Sequence, residues 1–218
     1  MKYLLVFLFI GVSYATPASN LTNSTTITED LNDIMEVIPI EKIKRIALEH
    51  LHNDLEFQAA VQYMKGPEWS ALMKELNDQP QFQKLYTFLK DTGLNLEKVE
   101  NLLCGFMKDV NVSTNHTVKS FKKFVEDVRK VIPLASVIEV VDNKLRTSQA
   151  FNDFYGKISG TECFELIQEV RKLPIYKQVV DGLKSMDIDI EAMLRLVSAI
   201  FNWEMTPLEK LASGDAAA

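Results

Sequence analysis

Reactive residues are scarce in this sequence. Only two of its 218 residues are cysteines, Cys104 and Cys163, and only three are histidines, His50, His52 and His116. His50 and His52 stand two apart on a helical pattern and so point to different faces, whereas a helical metal pair needs a spacing of three or four. His116 falls in a loop. There is no G-x-S-x-G elbow, Walker loop or H-E-x-x-H, and no cysteine–histidine pairing in a useful context. No metal site and no enzyme are therefore expected. Asp187-Ile-Asp-Ile-Glu191 is acidic, but it lacks the glycine and the ligand ladder of a calcium loop and reads as a helix cap. A concentrated basic face is also missing. The net charge is −6 and the pI about 5.2, which argues against nucleic acid, and Lys119-Ser-Phe-Lys-Lys123 reads as a solvated helix face. Past residue 12, no apolar run approaches the roughly 20 residues of a membrane-spanning helix.

The chain opens with Met1-Lys2-Tyr3, an apolar run over residues 4–12, and Ser13-Tyr14-Ala15. This has the form of a secretory signal peptide (1–15) cleaved after Ala15, with Ala18 as the alternative. Residues 16–28 are polar and rich in Ser and Thr, the composition of a flexible, solvated arm. Sequons at Asn20 and Asn23 lie in this arm, and two more, at Asn111 and Asn115, lie in the link between the two halves of the chain. All four sit where a glycan would meet only water, which points to a secreted glycoprotein. In such a chain, a disulfide between Cys104 and Cys163 and a pair of buried thiols remain open as alternatives.

The body of the chain is written twice. Pro80, Phe82, Leu89 and Lys90 reappear as Pro174, Tyr176, Leu183 and Lys184, a shift of 94 residues. At the same shift and without a gap, Val37-Ile-Pro39 falls on Val131-Ile-Pro133, Leu51 on Leu145, Phe57 on Phe151, Gly66 on Gly160, Leu72 on Leu166 and Leu102 on Leu196. A constant register over this length marks a repeat, and repeats constrain the fold before any other reading.

Start and stop residues cut each repeat into about six short helices. Thr26-Ile-Thr-Glu29 has the form of a capping box, Pro39 opens a second helix, and Asp54 caps a third that Gly66 stops. Pro67 and Pro80 start the fourth and fifth, Gly93 ends the fifth, and Asn95 caps the sixth. The second repeat repeats the plan with Pro133, Ser148, Thr161, Pro174 and Asp189. The apolar residues follow a 3.6-residue period and not strict alternation, so the fold class is all-α. Composition, 47% hydrophobic and 25% charged, suits one domain over residues 29–205. Repeat one covers about 29–109 and repeat two about 119–203, with a tail over 206–218 and both halves closing on one shared interior.

A pattern of Ile-Pro, helix, Phe with an aromatic, Gly-x-Glu, Pro-x-aromatic and a closing Leu-rich helix resembles the insect-allergen-related repeat family over about residues 27–203. That family includes mosquito midgut microvillar proteins and caterpillar nitrile-specifier proteins. The resemblance implies a helical shell around a large hydrophobic cavity filled with lipid, and it supplies no catalytic motif. The inward stripes then assign the lining. Repeat one contributes Ile43, Phe57, Met64, Leu72, Leu76, Leu85, Leu89, Leu102 and Phe106. Repeat two contributes Val137, Phe151, Ile158, Leu166, Val170, Val179, Leu183, Leu196 and Ile200. Periodicity alone does not separate a hollow interior from a filled one. The 12 Phe and 8 Met are compatible with an adaptable lipid pocket. The resulting expectation is a secreted, monomeric carrier of fatty acids or phospholipid acyl chains, without a cofactor, acting in the insect midgut lumen or at the microvillar surface. It would touch membranes transiently and perturb them. The alternatives are a gut-lining interaction or protective protein and a nitrile-specifier-like detoxification modifier.

Overall fold

The structure, a computed structural model, describes residues 26–94, 110–208 and 211. The signal peptide, Asn20, Asn23, Asn95, Leu102, Cys104 and Phe106 lie outside the described residues. The regular elements among the described residues are eleven helices. They are α1 (Ile27–Glu36), α2 (Ile40–Asn53), α3 (Leu55–Lys65), α4 (Pro67–Asn77), α5 (Pro80–Asp91), α6 (Lys122–Val131), α7 (Leu134–Thr147), α8 (Gln149–Ser159), α9 (Thr161–Arg171), α10 (Pro174–Lys184) and α11 (Ile190–Phe201).

Local chemistry sets most of these boundaries. The Glu29 N–H donates to Thr26 Oγ1 at 3.3 Å and the Thr26 N–H to the Glu29 carboxylate at 2.8 Å, a closed capping box. The arm expected over residues 16–28 therefore ends earlier, because residues 27 and 28 already form the first turn of α1. Asp54 caps α3 by accepting from the Glu56 and Phe57 N–H groups, Ser148 caps α8 through Phe151, and Asp189 caps α11 through Ala192. Thr161, expected as a cap, is instead the first residue of α9. Gly160 both ends α8 and precedes α9, with ψ 164°, as Gly66 does between α3 and α4 with ψ 163°, so no separate capping residue fits between the helices. The bounds of α2 and α7, α3 and α8, and α4 and α9 are offset by 94 residues at both ends.

Packing interleaves the two halves. The first helix of each half lies on the second helix of the other, α1 on α7 and α6 on α2, and the fourth lies on the fifth of the other, α4 on α10 and α9 on α5. Helices of ten to fourteen residues are marginal alone, so each half depends on the other to cover its apolar stripes. The buried apolar side chains form two clusters, the larger of them shared by both halves. The larger draws on α2–α5, Phe121 and α9–α11, with Phe57, Trp69, Phe82, Ile167, Val180 and Leu194 among its members. The smaller joins Ile34 of α1 to Val137, Val141 and Leu145 of α7 and Phe151, Phe154 and Ile158 of α8. The division follows from the crossing of α1, which covers α7 and α8 while α9 and α10 turn to α5 and α4. Leu94 is partly buried against both clusters.

The link before α6 runs along α3. Lys65 Nζ donates to the Val110 carbonyl at 2.6 Å, the Thr114 N–H to Gln62 Oε1 at 2.8 Å, and the Ser120 N–H to the Glu56 carbonyl at 3.2 Å. Lys119 Nζ stands 3.9 Å from the centre of the Tyr63 ring. The segment 119–123 is thus not simply a solvated face, since Ser120 and Phe121 are buried. Phe121 is held because its N–H donates to the Met186 carbonyl at 2.9 Å.

Candidate functional site

α11 is apolar on more than one face. Ile190, Leu194 and Val197 turn into the protein and are buried. Met193, Leu196 and Ile200, spaced three and four apart, form a second stripe on which Met193 and Ile200 are half-buried and Leu196 is 68% exposed. Leu196 was expected on the inward stripe. The packed stripe passes instead through Leu194 and Val197, which at about 100° per residue lie roughly 160° and 100° around the helix from Leu196, on the same side.

The remaining residues assigned to a lining separate into groups. Phe57, Leu76, Leu85, Leu89, Val170, Val179 and Leu183 are buried in the larger cluster, and Val137, Phe151 and Ile158 in the smaller. Met64, Leu72 and Leu166 pack against the larger cluster while keeping accessible surface, as do Met73, Tyr86, Phe88 and Met193. Ile43 is half-buried. Together these residues give a buried apolar core edged by large, deformable apolar side chains, three of them thioethers that adapt to irregular shapes. Such a surface can take an apolar ligand.

Three charged side chains, Asp30, Arg171 and Glu191, are buried. Arg171 donates from Nε to Glu191 Oε1 at 3.1 Å and from a terminal nitrogen to Oε2 at 2.5 Å, with side chains 1% and 3% exposed. The Tyr176 hydroxyl donates to the same carboxylate at 2.7 Å, and Arg171 also donates to Gln168 at 2.7 Å. Burial, and then the charge of Glu191, raise the Tyr176 phenol well above its ordinary value. Asp30, also buried, pairs with Lys144 at 2.8 Å and accepts from the Ser148 hydroxyl. The sequence did carry a signal for these groups. Asp30 is in helical phase with Ile34, Arg171 with Ile167, and Glu191 with Leu194, positions that otherwise hold core residues.

Cys163 is a free, buried thiol. Burial, and secondarily Glu162, push its pKa up to about 12, so it is not a nucleophile at neutral pH. The other end of the suggested disulfide, Cys104, is outside the described residues. Asn111 and Asn115 are exposed in the link, a position open to modification. Among the described residues no group of three or more His, Cys, Asp or Glu side chains could hold a metal ion, and no helix is long and apolar enough to cross a membrane.

Comparison with known proteins accords with this geometry. The chain is similar to protein G12 of Anopheles gambiae, 20% identical over 198 residues, a match covering 87% of this chain and 94% of the mosquito protein. The family model described as insect allergen related repeat, nitrile-specifier detoxification, matches residues 26–194, from the cap of α1 into α11. The chain belongs to the insect allergen related repeat family.

Proposed function

We propose that this protein is a secreted carrier of fatty acids or phospholipid acyl chains. In this reading two tandem repeats close into a shell, and the cargo sits without chemical turnover in a central hydrophobic cavity. The observation that carries the reading is the second apolar stripe of α11, with Leu196 68% exposed between half-buried Met193 and Ile200. An apolar stripe left open to water is commonly a contact surface, and an acyl chain supplies its cover. Removing a methylene from water contributes about 0.8 kcal/mol, so a 16-carbon chain gains on the order of 12 kcal/mol in a dry compartment. The half-buried rim of Met64, Leu72 and Leu166 adds the deformable surface that a variable chain needs.

A bilayer offers a chain nearly the same gain. The direction of transfer therefore depends on small packing differences, and a poorly filled carrier takes lipid from membranes by transient contact and perturbs them. In this reading the protein is a monomer, no cofactor is needed and the lipid is cargo. The insect midgut lumen or microvillar surface as the site of action rests on the resemblance alone. The family description supports a second reading, a detoxification modifier of the nitrile-specifier kind. Organic extraction and mass spectrometry of protein purified from a eukaryotic secretory host separates the two. About one or more acyl chains per protein molecule supports the carrier, as a single buried chain suffices to cover the stripe. Negligible lipid, with no uptake of labelled fatty acid by refolded protein, overturns it.

A further inference from the structure

His50, near the end of α2, has both ring nitrogens against carboxylates. Nδ1 lies 3.2 Å from Asp54 Oδ2, at the cap of α3, and Nε2 lies 3.1 Å from Asp127 Oδ2 on α6. An ionised carboxylate only accepts hydrogen bonds, so both contacts are satisfied only when both ring nitrogens carry protons. Charges of both signs surround the ring. From α3, Asp54 and Glu56 face the site. From α6, Lys123 Nζ reaches Glu56 at 3.1 Å and Asp54 at 3.8 Å, and Lys130 Nζ reaches Asp127 at 2.7 Å. On α2 itself, Glu49 and His52 are exposed. Burial raises the Asp54 carboxyl, but the Phe57 N–H, the His50 ring, the Lys123 charge and the Glu56 N–H together more than offset it, leaving Asp54 below its ordinary value. The Lys130 ammonium, then the His50 ring, lower Asp127.

Beyond the buried Phe121 at its start and the Lys123 pairs, α6 is held shallowly. Alone among the described helices it has no buried residue. Its apolar attachment is Phe124, whose ring lies 5.1 Å from that of Phe57 and 5.9 Å, edge-on, from His50. The equivalent seam in the other half is built differently, with Ser148 in the place of Asp54 and Asp30 in the place of Phe124. Ninety-four residues beyond His50 stands Lys144, on α7, and it pairs with Asp33 of α1, the counterpart of Asp127, and with buried Asp30. α1 also buries Ile34. One seam is therefore closed by a lysine ammonium and the other by an imidazole, the side-chain type whose charge generally depends on pH near neutrality.

We propose that the α2–α6 seam is a proton-operated latch, shut when His50 carries both ring protons and loosened when it loses one, while the Lys144 seam stays closed. With one proton lost, a ring lone pair faces a carboxylate oxygen at hydrogen-bond distance, a charge-assisted bond disappears, and α6 separates from α2. The cover is then withdrawn from Phe57, which is 1% exposed, and from Leu51. The latch does not depend on the lipid reading.

Hydrogen exchange of the full chain, read by mass spectrometry at pH 5.5 and 8.5 and corrected for intrinsic rates, tests the latch. Protection of α6 should fall about tenfold or more at the higher pH while that of α1 holds, the effect expected of one lost charge-assisted hydrogen bond. His50→Lys, which places the sister seam's cation at this position, should keep α6 protected at both pH values, and His50→Gln should leave it weakly protected at both. Unchanged α6 protection in the wild type, an equal loss in α1, or the same loss in His50→Lys would overturn the latch.

Discussion

Arg171 and Glu191 meet through two hydrogen bonds, at 3.1 and 2.5 Å, where neither side chain is more than 3% exposed. Their helices α9 and α11 are thereby tied at a point where removing one partner leaves an uncompensated charge in an apolar surround. Arg171→Met or Glu191→Leu alone should each lower stability by about 3–5 kcal/mol, whereas the double variant should lose much less than the sum. Urea unfolding of the three variants measures this. Additive losses would show that the two groups do not act as a pair.

Gly93 ends α5 with φ +91°, and a Cβ built there would stand 2.6 Å from Cγ2 of Ile27 on α1. Gly93→Ala therefore meets both an unfavourable backbone region and a close neighbour, and should destabilise by about 1–3 kcal/mol. Glycine at Gly156 meets nothing within 4 Å, so Gly156→Ala, in mid-helix, should instead gain about 0.5–1 kcal/mol. Thermal melts of the two variants should move in opposite directions.

Leu89 and Leu183, equivalent in the two repeats, are 5% and 3% exposed and belong to the same cluster. Either one changed to Ala should cost about 2–5 kcal/mol, and changed to Asp more, since the carboxylate finds no partner there. A wild-type melting temperature in Leu183→Asp would show that the position is not core.

The helix starts were legible because capping is local. Thr26, Asp54, Ser148 and Asp189 each bond an N–H two or three residues ahead, so the sequence window contains the whole interaction. Thr161 was misread because Gly160 already serves as both end and start. Contacts between distant residues were not legible. Ser148 meets Asp30 across 118 positions and His50 meets Asp127 across 77, and no periodicity reports which helix will lie on which. A charge in apolar phase, as at Asp30 and Glu191, signals burial without naming its partner. Leu196 shows the converse limit, because a helix with two apolar stripes does not say which one the protein covers.

Cys163 should be nearly inert while the protein is folded. Its pKa is raised to about 12 by burial and by Glu162, so its thiolate fraction near pH 8 is about a thousandfold below that of an ordinary cysteine. Folding holds a proton that the unfolded chain releases. This contribution to stability is intact below about pH 8.5, where the unfolded thiol keeps its proton, and is lost as pH rises toward the folded value. Iodoacetamide labelling of a Cys104→Ser protein should be very slow at pH 8, rise with denaturant, and quicken above pH 9 together with loss of stability. Rapid labelling of folded protein would show that the site opens or that the thiol is accessible.

Leu196 separates the role of its stripe in binding from any role in folding. The side chain is 68% exposed and lies off the face carrying Leu194 and Val197, so Leu196→Gln removes little protein packing, and the change in stability of lipid-free protein should stay within about 0.5 kcal/mol. If an acyl chain covers the stripe, the same substitution sets a polar amide against that chain, at a cost to affinity of about 1–3 kcal/mol, or roughly five- to a hundredfold. Leu194→Gln should behave in the opposite way and damage the fold before binding can be read, because Leu194 is 2% exposed within the larger cluster. Unfolding of lipid-free protein and titration with a fluorescent fatty acid, run on both variants, distinguish the two positions. Unchanged fatty-acid affinity in Leu196→Gln, with wild-type stability, would remove this stripe from any lipid site. A folding defect as large as that of Leu194→Gln would show that protein, not lipid, covers it.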